Sequence, residues 1–200
     1  MGGWRLPEKM GGMEPTKPTN HRQSIRLPNY DYSQPGAYFI TIVSFQRQVS
    51  FGKIENNNVI LTSLGKIIRD EWFQSFRIRQ EIDLKEDELV IMPNHLHGIV
   101  WITNVGADGV RLDGIRPENL GAHRAPLQRY GRTLGSFVAG FKSAVSSRAK
   151  KELGLTNIWQ CNYYEHIIRN DCDYANVFLY MQTNPQRWQE DYLFFSINML

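Results

Sequence analysis

Two histidines separated by a single apolar residue, His95 and His97, open the run HLHGIVWI at residues 95–102. Successive side chains of a strand point to opposite faces, so both imidazoles share one face, about 7 Å apart along the strand, and Leu96 takes the other. At that spacing two imidazoles can converge on a divalent metal or on a phosphate. A second group lies near the other end of the chain. In the stretch 171–184, Tyr174, Val177, Phe178 and Met181 fall at i, i+3, i+4 and i+7 and form an apolar stripe. Asp173, Asn176, Tyr180 and Asn184 fall on a separate polar stripe, so a phenol and an amide sit one turn apart without being needed for the core.

These residues need elements to hold them. Residues 37–45 are rich in β-branched and aromatic side chains and read as a buried central strand. Asn56, Asn57 and Asn58 make a turn, and Thr62 or Ser63 caps a helix to about Arg79 with Leu64, Ile68, Trp72 and Phe76 at i+4 spacing. Residues 88–102 are two apolar strands joined at 92–94. Thr133 to about Leu153 is a helix ended by Gly154, residues 158–169 read as a strand, and Asn170 or Asp171 caps a last helix that runs to about Asn184, before Pro185. The order strand, helix, strand, strand, helix, strand, helix predicts an α+β, ferredoxin-like split βαβ domain. It would have a four-stranded antiparallel sheet, two helices on one face and an added C-terminal helix.

Two hundred residues, 42% of them apolar, suffice for one domain with tails. Residues 1–22 lack periodicity and read as a disordered tail, residues 23–190 as the single domain, and residues 191–200 as a C-terminal tail. Within the domain, residues 104–131 hold five glycines and two prolines and are expected to be a flexible insertion. With 23 basic and 20 acidic residues there is no global polycation, so any nucleic-acid surface must be local. Two cysteines are too few for a disulfide framework, no apolar run can span a membrane, and the N-terminus lacks a signal-peptide core; a cytoplasmic protein is expected.

Four segments carry a resemblance: residues 22–32 (RQSIRLPNYDY), 92–98 (MPNHLHG), 159–169 (WQCNYYEHIIR) and 180–185 (YMQTNP). In this order they resemble the REP-associated tyrosine transposases, a branch of the single-tyrosine HUH transposases. The resemblance spans about Arg22 to Trp188. It implies that His95 and His97 bind Mg²⁺ or Mn²⁺, that Asn184 completes the metal site, and that Tyr180 is the nucleophile. The implied substrates are single-stranded DNA hairpins, cleaved and rejoined through a 5′-phosphotyrosine. The insertion at 104–131 is longer than the resemblance leads one to expect.

Tyr163 and Tyr164 compete for the nucleophile role, but neither has an amide at i+4, which favours Tyr180. His166 reads as a packed or DNA-contacting residue, and Glu165 as a possible base. Arg22, Arg26, Lys142 and Lys150 are the candidate phosphate contacts, the last two from an i+4 stripe with Ser146 on a second face of the helix that starts at Thr133. A non-catalytic single-strand nucleic-acid-binding module of the same fold would explain the sheet and the aromatics but not the histidines and Tyr180. A hydrolase in which water attacks is a third possibility. The oligomeric state is open.

Overall fold

In the computed structural model, residues 30–103, 133–191 and 193 are described. The predicted tail 1–22, the insertion 104–131 and the candidates Arg22 and Arg26 lie outside them. The chain is α+β, built on a mostly antiparallel sheet. β1 (Gly36–Val43) pairs with β6 (His95–Ile102) on one side and with β7 (Tyr164–Ile168) on the other. The strand expected just before the histidine-bearing run has a second piece: β4 (Ile82–Asp83) and β5 (Leu89–Ile91) both pair antiparallel with β6, and a 3-10 turn at Glu86–Glu88 separates them. The sheet therefore has five strands in four columns, β7–β1–β6–(β4, β5), the split βαβ order. Outside it, β2 (Gly52–Glu55) and β3 (Asn58–Leu61) form a hairpin across Asn56 and Asn57, both at positive φ.

The helices follow their local signals. α1 (Ser63–Ile78) starts at Thr62, whose hydroxyl accepts from the Gly65 amide. α2 (Leu134–Leu153) is held by a capping box between Thr133 and Ser136 and ends at Gly154 in the left-handed region. α3 (Asp171–Thr183) is capped by Asn170. The chain then continues as a 3-10 turn, Asn184–Glu190. No described helix is long and apolar enough to cross a membrane.

Strand alternation divides the sheet into two faces. Tyr38, Ile40, Ile42, Leu96 and Val100 point one way, onto α1 and α2, where Trp72 meets Phe137 and Phe141 edge-on with ring centroids 5.3 Å apart. Gly98 lies on this face, and a Cβ there would sit 2.5 Å from the Trp72 ring, so the close approach of α1 to the sheet requires glycine. The other residues of β1 and β6, among them Ala37, Phe39, Ile99 and Trp101, point the opposite way and receive α3 through Tyr174, Val177 and Met181. His95 and His97 share that second face.

Candidate active site

β6 carries both imidazoles into the space beneath α3, where they are buried. Each ring is held at its Nδ1. Asn94 donates its Nδ2 to two backbone carbonyls, of Arg47 at 3.2 Å and of Leu193 at 3.1 Å, which turns its Oδ1 toward His95 Nδ1 at 2.7 Å. An amide oxygen only accepts, so the proton of neutral His95 is on Nδ1 and Nε2 presents a lone pair. Thr41 Oγ1 on β1 holds His97 Nδ1 at 2.8 Å, and Phe39 stacks on the His97 ring at 5.3 Å. The two Nε2 atoms meet 3.0 Å apart. Burial pushes His97 down to about 3, and burial together with its neighbour His97 holds His95 well below its ordinary value, so both rings are neutral.

α3 is fixed over this pair by a buried acid. Glu88 accepts from Trp101 Nε1 at 2.6 Å, from the Tyr174 hydroxyl at 2.8 Å and from Lys85 Nζ at 2.9 Å. Gln182 adds a bond from its Nε2 to the Asp87 carbonyl at 2.7 Å. The helix so placed brings the Tyr180 hydroxyl to 3.4 Å from His97 Nε2, with Tyr180 still 46% exposed. Asn184 keeps right-handed helical backbone although Pro185 follows, and its buried Nδ2 lies 3.0 Å from the same nitrogen. Burial, with the Asp191 carboxylate nearby, raises the Tyr180 phenol, while Asn184 and the Arg187 guanidinium pull it the other way.

The turn after α3 contributes what the sequence reading did not foresee. Trp188 packs against the His95 ring at 6.1 Å, and Asp191 Oδ2 lies 3.9 Å from His95 Nε2. His95, His97 and Asp191 can each offer one ligand atom, all within 4.8 Å of one another. The histidine pair can close on one N–H···N bond or on a cation taken between the rings, and only the cation also uses the carboxylate. Two imidazoles and one carboxylate suit a divalent first-row metal such as Mn²⁺ better than Mg²⁺, which favours oxygen ligands. The donors present thus fit a metal, and Asp191, assigned by sequence to a C-terminal tail, sits at it beside Asn184.

Thr41, His97, Tyr164, Tyr180, Asn184 and Asp191 all face one cavity of about 540 Å³. Of the competing tyrosines, Tyr163 packs into the α1/α2 core, whereas Tyr164 reaches the cavity. His166 is tied to Asp173 at 2.9 and 3.0 Å. Glu165, paired in register with Ile40, belongs to the opposite face. Lys142 and Lys150 are not brought to this site. They stand on α2, in the layer behind the sheet, and Lys142 donates to the Gln160 carbonyl at 2.9 Å and to that of Asn162. Their i+4 stripe is real, but Lys142 spends its charge fastening the lead-in to β7. Partial burial lowers it to about 8.

Comparisons with known proteins agree with this architecture. A protein of Haemophilus influenzae (strain ATCC 51907 / DSM 11121 / KW20 / Rd), itself uncharacterized, is 39% identical over 175 residues, 88% of this chain and 94% of its own length. The fold is similar to that of a REP-associated tyrosine transposase solved bound to a REP hairpin. The TM-score is 0.55 at 21% identity, over 82% of this chain and 74% of that one. No family model matches.

Proposed function

From a chain that belongs to one family with the Haemophilus influenzae protein and has the fold of a REP-associated tyrosine transposase, we propose a metal-dependent DNA strand transferase. It cleaves and rejoins single-stranded DNA beside a hairpin, with Tyr180 as nucleophile. The observation that carries this reading is the Tyr180 hydroxyl, half exposed to a cavity and 3.4 Å from one of two buried, neutral histidines. A core tyrosine would not need that position, and a pure binding module would not need the imidazoles.

Tyr180 Oη forms a bond to phosphorus as the bond from phosphorus to the 3′ oxygen breaks, and the freed 3′-OH takes up a proton. Arg187 favours the phenolate that must form, since its positive charge acts against the raising effect of burial. Asn94 and Thr41 keep the imidazole Nε2 atoms turned to the cavity and so orient the donors that His95 and His97 present. A divalent cation held by His95, His97 and Asp191, with Asn184 beside them, would neutralise charge on the non-bridging phosphate oxygens. The tyrosyl phosphodiester retains the energy of the broken bond, so a later 3′-OH can displace Tyr180 and rejoin strands without ATP. The exposed thiols of Cys161 and Cys172 are in keeping with a cytoplasmic setting.

The test is covalent. The chain mixed with a labelled DNA hairpin and Mn²⁺ should give an adduct that survives denaturation, maps to the Tyr180 peptide and is absent from Tyr180→Phe. Cleavage without any adduct would assign attack to water, and binding without cleavage would leave a recognition module.

A further inference from the structure

The geometry points to a nucleobase subsite on the β7 wall of the cavity, with the ring of Tyr164 as the platform on which a base of the single strand next to the scissile phosphate stacks. The inference rests on the proposed strand transfer for its substrate class and adds to it the residue that positions the strand.

Tyr164, on the edge strand β7, is 49% exposed. Among the described residues its ring meets no other ring and its hydroxyl makes no hydrogen bond, whereas neighbouring Tyr163 packs into the core. It therefore does little for the fold. Its position ties it to the site instead. Tyr164 pairs in register with Thr41, and antiparallel partners lie roughly 4.5–5.5 Å apart at Cα. The Thr41 hydroxyl is bonded to His97. Tyr164 and Tyr180 both face the same cavity, whose volume of about 540 Å³ lies within the range of small-ligand sites.

A strand laid across Tyr180 toward β7 must put a base beside Tyr164. Aromatic platforms hold single strands by stacking that is tolerant of sequence, because every base offers a π-face. Thr183 and Arg187, on the same cavity, can take the sugar-phosphate side, which leaves the base for the ring.

The experiment uses a DNA hairpin whose single-stranded flank carries 2-aminopurine at one position at a time. It is titrated with the full chain without divalent cation, so that binding is read apart from cutting. One flank position should show quenched fluorescence. Tyr164→Phe and Tyr164→Trp should keep the quench, and Tyr164→Ala should lose it and weaken flank binding roughly 5- to 100-fold. An abasic site at that position should weaken binding to the unaltered chain and abolish the difference from Tyr164→Ala. Equal quench and affinity in Tyr164→Ala would overturn the subsite, as would loss in Tyr164→Phe as large as in Tyr164→Ala. If the covalent adduct fails to form while the quench behaves as expected, strand transfer fails and the subsite stands. If the adduct forms and Tyr164→Ala changes nothing, the subsite alone fails.

Discussion

The two faces of the sheet are built on opposite principles. Behind it, α1 and α2 bury a continuous apolar layer in which Trp72, Phe137 and Phe141 interlock. In front of it, α3 buries a single side chain completely, Met181, with Tyr174 and Val177 partly buried beside it, and is also held by polar contacts around Glu88. The same strands serve both faces: Leu96 and Gly98 of β6 pack behind, and His95 and His97 face forward. Stability is concentrated behind and chemistry in front, and the rigid sheet lets one be altered with little effect on the other.

The largest expected effect lies in front. His95→Ala or His97→Ala should lower cleavage in Mn²⁺ by at least about 100-fold. Hairpin binding and the cooperative unfolding transition should persist, because the strands are pinned by the layer behind. Cleavage at the unaltered rate in either variant would end the assignment of both rings to the metal.

The reverse experiment is Trp72→Ala, which should cost about 3–5 kcal/mol of stability in a denaturant titration. Cleavage at low temperature should remain within a few-fold of the original, because no atom of Trp72 faces the cavity. Selective loss of activity in a stable Trp72→Ala protein would show that the faces are coupled.

Glu88→Gln tests the joint between them. It keeps the shape but weakens the bonds from Lys85, Trp101 and the Tyr174 hydroxyl, and should cost about 1–3 kcal/mol. Protection of the α3 amides from hydrogen exchange should fall more than that of β1 or β6, a pattern that uniform loss would contradict.

The last test concerns pH in the metal-free chain. Folded His97 has its proton affinity pushed down to about 3, while the unfolded residue titrates near 6.5. Between those values the unfolded state binds more protons, so stability falls as pH drops through that window. His97→Gln should flatten the slope of the urea midpoint against pH, and an unchanged slope would mean that His97 is not buried neutral.

Legibility in the sequence divides by range. Thr62, Thr133, Asn170 and Gly154 announce helix ends through chemistry confined to one turn, and the structure uses each of them. The period-two alternation of β6 likewise put both histidines on one face. The strand expected over 158–169 shrinks to Tyr164–Ile168, because Asn157 and Asn162 take positive φ and bend the lead-in, leaving Trp159 in an isolated bridge to Ser44. The extra strand piece before β5 was hidden because β4 has only two residues, too few for any periodicity. Glu88, at the head of the stretch read as strand, shows no local sign of its role, which appears only once β6 and α3 close over it. Asp191 carries no local signal at all, since its place beside His95 depends on how a 3-10 turn carries the chain back across the sheet. Asn94 was quoted within its motif, but its role follows only from the carbonyls of Arg47 and Leu193, which lie 47 and 99 residues away.

Those separations bear on the moment at which the protein acquires its chemistry. Thr41, the histidine pair and the residues from Tyr180 to Asp191 come from the beginning, middle and end of the described chain. On a ribosome, the sheet partners and the helical layer behind them emerge before α3, so a nascent chain presents imidazoles with no tyrosine above them. If the proposed DNA cleavage holds, it is thereby withheld through most of the chain's own synthesis. Truncated products would share that state, since whatever lacks the last helix lacks Tyr180.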